Sequence, residues 1–200
     1  MAAKRRVLKR PLGERRYRKM FVIATEGSKT EPGYFSMFND RHTLVKVKCL
    51  KGDIKSAPGK VLKRMKDYLK EEHLKKTDEA WLVVDKDQWT DDQLKELYTW
   101  AQQAKNRGLA LSNPNFEFWL LLHFEEGFGI SSAQECIRRL EQYLPGYDKG
   151  IKENEFPVNR IQAAIHRAQV KDNPPCADWP HIHGSTTVYR LVENILKDGK

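Results

Sequence analysis

FVIATEGSKTEPGYF, residues 21–35, decides how this chain is read. Its opening, within MFVIAT (20–25), is a short unbroken apolar run, the pattern of a strand covered on both faces. Glu26-Gly27 ends the run. EPGYFSMFND (31–40) then reads as a helix, with Pro32 tolerated in its first turn. Two carboxylates, Glu26 and Glu31, therefore stand where a buried strand ends, and a protein needs a reason to put acids at such an edge.

The same alternation continues along the chain. TLVKVKCL (43–50) sets Val45, Val47 and Cys49 against Lys46 and Lys48, the pattern of an edge strand with one wetter face. Residues 59–76 place Val61, Met65, Tyr68 and Leu69 at helical spacing, and AWLVVD (80–85) is a second buried strand. Thr90 with Gln93 forms a capping box for a helix carrying Leu94, Leu97, Ala101 and Ala104 on one face, and Gly108 is expected to end it. LALSN (109–113) is a fourth strand, and NFEFWLLLHF opens the next helix. Four strands joined by helices predict an α/β fold with a mostly parallel four-stranded sheet flanked by helices. Ligands of such sheets bind outside the carboxyl ends of the strands. Glu26, Asp85 with Asp87, and Asn113 with Glu117 all fall just past such ends, so three strands deliver acids to one rim.

The second half is helical in pattern. Ser132 with Glu135 caps a helix bearing Ile137, Leu140 and Leu144, and PVNRIQAAIHRAQV and TTVYRLVENILK are further amphipathic helices. The expected organisation is a basic arm at 1–19, an α/β core at 20–125, and a helical C-terminal extension at 126–200 packed on that core.

With 200 residues, 40% apolar and 32% charged, the chain has the composition of a soluble globular protein. No apolar run reaches membrane-spanning length, and no secretory signal follows the basic start. Cys49, Cys136 and Cys176 are odd in number and widely spaced, which fits reduced thiols in a cytoplasmic protein. The net charge of +9 is uneven: residues 1–19 carry nine Lys or Arg against Glu14 alone. Arg5, Arg6, Arg10, Arg15, Arg16 and Arg18 are candidate contacts to nucleic-acid phosphates; a solvated tail that maintains solubility has the same composition.

VVDKDQW puts Asp85 and Asp87 two residues apart at a strand end, so in extended chain both carboxylates face one way. Like charges gathered at a rim are costly without a cation, and hard divalent ions such as Mg²⁺ or Mn²⁺ take oxygen ligands. A dehalogenase-type phosphotransferase would carry its nucleophilic Asp on the first strand, which does not fit the third. His181 and His183 form an isolated HxH, and His123 stands six residues from Glu117, off its helical face.

EGSKTEPGYF, VVDKDQW and NPNFEFWLLLHF, in that order, resemble the RloB family, over about residues 18–124 with a looser continuation to STTVYRLVENIL. That family is similar in turn to Toprim-type domains, the metal-binding folds of topoisomerases, primases and OLD-family nucleases. The resemblance implies a Toprim-like core and a metal-dependent nuclease acting on DNA or RNA in anti-phage defence. It implies Glu26 as the proton-transferring acid or base, Asp85 and Asp87 as Mg²⁺ ligands, and Glu117 as a further ligand. Gln88-Trp89 departs from the commoner DxDxF or DxDxH form. Lys29 and Lys86 flank these acids; either they contact the scissile phosphate or they neutralise neighbouring carboxylates. Glu31 is either a ligand or an acid suited to a first helical turn. A non-catalytic module that senses a nucleotide or nucleic acid is the other reading. No GxxxxGKS motif is present, so any ATPase partner is expected to be a separate chain.

Overall fold

The apolar run at 21–25 lies inside a five-stranded sheet in a computed structural model that describes residues 18–39, 44–52, 57–86 and 89–199. The strands are β1 (Lys19–Thr25), β2 (Val45–Leu50), β3 (Glu79–Asp85), β4 (Arg107–Asn113) and β5 (Ser185–Thr186), in the order β2-β1-β3-β4-β5. β1 to β4 are parallel, and β5 runs antiparallel to β4 with Ser112 opposite Thr186. Seven α-helices are described: α1 (Thr30–Ser36), α2 (Pro58–Glu71), α3 (Asp91–Gln102), α4 (Phe116–Leu121), α5 (Ala133–Tyr143), α6 (Val158–Lys171) and α7 (Val188–Asp198).

The uninterrupted apolar pattern of β1 follows from burial on both faces. Phe21 and Ile23 join one core with Tyr34 and Phe35 of α1 and with residues of α4 to α7. Val22 and Ala24 join a second core with Val61, Leu62 and Met65 of α2 and Leu94 and Leu97 of α3. β3 divides its side chains the same way, with Trp81 and Val83 on one side and Ala80, Leu82 and Val84 on the other. β2 is the edge strand its alternating lysines foretold.

Three expectations are corrected. The sheet has five strands and is mixed, because the segment 126–200 contributes β5 as well as helices. A two-residue strand leaves no periodicity to read. It is fixed instead by bonds from Gly184 N to Asn113 O (2.8 Å), Thr187 N to Leu111 O (2.9 Å) and between the Ser112 and Thr186 hydroxyls (2.8 Å). β5 thereby covers the edge of β4 that would otherwise stay unpaired.

Gly108 does not end a helix: α3 stops at Gln102, and Gly108 lies in β4 opposite Trp81. A Cβ there would come within 2.5 Å of the Trp81 ring, so the residue is small because an indole lies across it. Lys19, counted with the basic arm, is the first residue of β1 and pairs with Glu79 (2.5 Å) and Asp198 (2.7 Å).

The contact at Gly108 gives a direct test. Gly108→Ala should destabilise the chain by about 1–3 kcal/mol through overpacking against Trp81. The measurement is urea unfolding followed by tryptophan fluorescence, and an unchanged midpoint would contradict the assigned packing.

Candidate functional site

In the order β2-β1-β3-β4 the chain moves outward in opposite directions on either side of the β1/β3 junction, and that junction is the switch point where such sheets open a crevice. Glu26 follows β1 and Asp85 ends β3, so the two acids flank it. They are linked directly: Glu26 N donates to Val83 O (3.1 Å), and Asp85 N donates to Glu26 Oε2 (3.3 Å). The indole Nε1 of Trp89 donates to the same Oε2 at 3.3 Å. Trp89 therefore orients the Glu26 carboxylate, which a Phe at that position could not do for want of a donor.

Glu31 enters from α1. Its Oε1 accepts from Gly27 N at 2.9 Å, and the residue is buried. A Cβ on Gly27 would lie 2.5 Å from Glu31 Oε2, so the glycine of the Glu-Gly turn leaves the space this carboxyl fills. Glu117 enters from α4, also buried, with its Oε1 accepting from the Tyr147 hydroxyl at 3.4 Å. Tyr147 also reaches Thr30 Oγ1 at 3.4 Å, bridging α1 to the turn after α5. One aromatic cluster holds the two helices together. Tyr34 of α1 meets Phe116 and Trp119 of α4 edge-on, at centroid distances of 5.7 and 6.1 Å.

His123 belongs to that packing. Its Nδ1 faces the Trp119 and Leu120 carbonyls at 3.0 and 3.2 Å, so Nδ1 carries the proton and Nε2 accepts from Tyr34 Oη at 3.0 Å. Burial pushes its pKa down to about 3, leaving it neutral.

The carboxylates interact strongly. Asp85 keeps some exposure as a residue, but its carboxyl is enclosed. Burial first, and then Glu31, Glu117 and Glu26, hold its pKa well above the usual carboxylate range. Burial also raises the pKa of Glu31, opposed by its bond from Gly27 N. Burial and the neighbouring Glu117 raise the Tyr147 phenol above its ordinary value.

The structure thus brings Glu26, Asp85 and Glu117 to one rim and adds Glu31 and Tyr147. The sequence left Glu31 open between two roles and gave no signal for Tyr147, which sits in an ordinary Pro-Gly turn. Lys29 is exposed at the mouth of α1. Lys86 turns away to Asp91 (2.5 Å) and Trp89 O (3.1 Å), so the carboxylate it neutralises is outside the cluster. Arg64 of α2, unread in the sequence, donates to Thr25 O (2.9 Å) and Leu50 O (3.1 Å), tying the ends of β1 and β2. His181 bonds to Asp178 at 3.0 Å. Asp87 and the arm residues Arg5, Arg6, Arg10, Arg15 and Arg16 lie outside the described residues; Arg18 is described and exposed.

The donor set at the rim is all oxygen, which suits Mg²⁺ or Mn²⁺ rather than softer metals. Asn115, two residues before Glu117, is buried with its Oδ1 unpartnered, a further oxygen of the kind a hard cation or its water shell would use. Among the described residues no group of three or more His, Cys, Asp or Glu side chains is arranged to hold a metal ion. The rim offers such an ion oxygen donors and negative charge, but no set of three of these ligands already in place among the described residues.

These features define a class: a doubly wound α/β protein with an acidic rim at its switch point. The model of the family described as RloB-like protein matches residues 21–195, and the chain belongs to that family. No curated protein and no solved structure matches it. No described helix is long and apolar enough to cross a membrane.

Because folding makes Asp85 harder to ionise, its protonated form favours the native state at low pH. That contribution is lost as pH rises through the raised pKa. Asp85→Asn should therefore match the parent near pH 4 in EDTA. At pH 8 it should be more stable, by roughly 1 kcal/mol, or about 2–4 °C at this chain length. Thermal unfolding at both pH values decides it, and a variant no more stable than the parent at pH 8 refutes the crowding of charge.

Proposed function

We propose that this chain is a divalent-metal-dependent phosphodiesterase with a Toprim-like core, cutting DNA or RNA. The observation that carries the reading is the meeting of Glu26, Glu31, Asp85 and Glu117 from two strand ends and two helices at one crevice, with Asp85 held against ionisation by burial and then by the other three. A fold spends stability on such a cluster where a cation is to be gathered.

Asp85, Asp87 and Glu117 would hold the ion, and Glu31, within the same electrostatic cluster, joins them as a candidate ligand. A bound Mg²⁺ or Mn²⁺ would supply charge stabilisation to the phosphoryl oxygens and the leaving oxygen. Glu26, half-buried and oriented by Trp89, is placed to take a proton from an attacking water or return one to the departing hydroxyl. Lys29, exposed beside the crevice, is the phosphate-contacting cation of the pair first considered. Lys86, committed to Asp91, anchors the segment after β3 to the start of α3.

On the RloB resemblance we extend the reading to anti-phage defence, with a separate ATPase chain as partner. The basic residues before β1 would add sequence-independent affinity for the phosphate backbone.

Glu26→Gln keeps the size of the side chain and removes its charge and basic oxygen. The variant should fold and bind substrate but cleave about 10²–10⁴-fold more slowly. Asp85→Asn should instead raise the metal concentration needed for half-maximal rate. Both are measured on labelled DNA and RNA with Mg²⁺ and Mn²⁺. Undiminished cleavage by Glu26→Gln would exclude it from proton transfer, and binding without cleavage by the parent chain would favour the sensing module.

Removing residues 1–17 deletes seven Lys and Arg while sparing the Lys19 ion pairs. The slope of log affinity against log salt should flatten accordingly. An unchanged slope would make the arm a solubility tail.

A further inference from the structure

Beside the acidic rim lies a pocket of about 490 Å³, lined among others by Ser28, Lys29, Ser36, Cys49, Lys51 and Lys149. It is built from three separate segments: residues 28–39, which hold the β1–α1 turn, α1 and Asn39; β2 with Lys51 beyond it; and the turn 148–150. All three lysines are exposed, and among the described residues none of their ammonium groups forms an ion pair. Among the described residues the one acid in the lining is Asp148, whose Oδ1 accepts from Gly150 N at 3.0 Å. The described lining therefore carries three positive charges against one partly satisfied carboxylate.

Its third wall is held under strain. Lys149 has φ of 71°, the one non-glycine residue with positive φ among those described. That backbone region disfavours residues with a Cβ and is found where the surroundings impose it. Here the Lys149 carbonyl accepts from Thr30 Oγ1 at 3.2 Å, which fastens the turn to α1. The same helix carries Glu31, and the Lys149 charge acts on that carboxyl, so pocket and rim share a wall.

We propose that this pocket binds the phosphate monoester of a nucleotide and seats it beside the carboxylates. The assignment rests on the phosphodiesterase reading above and names what that site receives. A dianionic monoester matches three exposed ammonium groups better than a monoanionic diester does. The volume suits a single nucleotide, within the range of small-ligand sites. Pro32, Val47 and Cys49 supply apolar lining, and no aromatic ring is among the described lining residues, so the charges point to the phosphate rather than the base as what it recognises. The phosphate belongs either to the end of a polynucleotide or to a free mononucleotide.

The test is binding in EDTA, where no cleavage occurs. Fluorescence anisotropy would compare a six-residue oligothymidylate bearing a 5′-phosphate with the same chain ending in a 5′-hydroxyl, with AMP as competitor. The phosphorylated chain should bind at least tenfold tighter. Lys51→Ala with Lys149→Ala should abolish that preference, and so should Ser36→Trp, which fills the pocket without changing charge. Lys63→Ala with Lys95→Ala, removing two exposed charges on α2 and α3, should leave it within twofold, with far-ultraviolet dichroism confirming that each variant folds.

Displacement by AMP at a similar affinity identifies the free nucleotide as a ligand. A preference for the phosphorylated chain that AMP does not compete assigns the chain end. No preference in the parent, or a preference that survives Ser36→Trp or falls equally with the α2/α3 pair, overturns the proposal. A chain that binds the phosphate but cleaves nothing with Mg²⁺ or Mn²⁺ overturns the phosphodiesterase reading alone. Active cleavage with indifferent pocket variants overturns the pocket alone.

Discussion

The pairing of β1 with β3 is the constraint on which the rest depends. Thr25 stands opposite Val83, and the next residue continues the ladder through Glu26 N to Val83 O. Both strands are buried on both faces, so a slip of one residue would exchange the side chains between two differently shaped cores. The register is thereby locked, and with it the approach of Glu26 to the backbone of Asp85. Since the sequence separation between them is large, only this pairing can make neighbours of two acids that the chain holds 59 residues apart.

Packing must offset the repulsion that this pairing creates. The offset is local. Tyr34, Phe35, Phe116 and Trp119 sit in one fully or nearly fully buried group, and each such ring withdraws about 150–250 Å² from water. At ~25 cal/mol per Å² that is several kcal/mol per ring, more than a surface helix of six or seven residues would gain from its own hydrogen bonds. α1 and α4 are short and carry Glu31 and Glu117 respectively. The aromatic residues in the motifs around them are thus the means by which two buried carboxylates are kept close, with the neutral His123–Tyr34 bond pairing the Tyr34 hydroxyl inside that group.

Much of this could be read from the chain. The parallel core was legible because a strand buried on two faces writes an unbroken apolar run, and the capping signals at Thr90 and Ser132 mark the helices that follow. The acids at the strand ends were legible because the sheet's topology fixes where strand ends go. What escaped detection depends on contacts with no local signature. β5 is two residues long and exists through its bonds to β4. Gly108 resembles a helix terminator until Trp81 is placed across it. Tyr147 reaches the rim because a turn 30 residues past Glu117 folds back over α1. Glu31 has the composition of an ordinary first-turn acid, and only the contact with Gly27 shows that its carboxyl points back toward the β1 terminus.

The triad of Lys19, Glu79 and Asp198 sets a length scale. It joins the first residue of β1 to the first of β3 and to the last of α7, at the end of the sheet opposite the acidic rim. β1 has seven residues, so the rim lies about 20 Å from where the preceding basic stretch is tethered. At roughly 3.4 Å per nucleotide along a strand, that separation corresponds to about six phosphates. A nucleic acid touching both Arg18, exposed at that end, and the carboxylates would have to run along the molecule for that distance. Chain length would then act as a selector in its own right, separating oligonucleotides that span the sheet from those that occupy only one end of it.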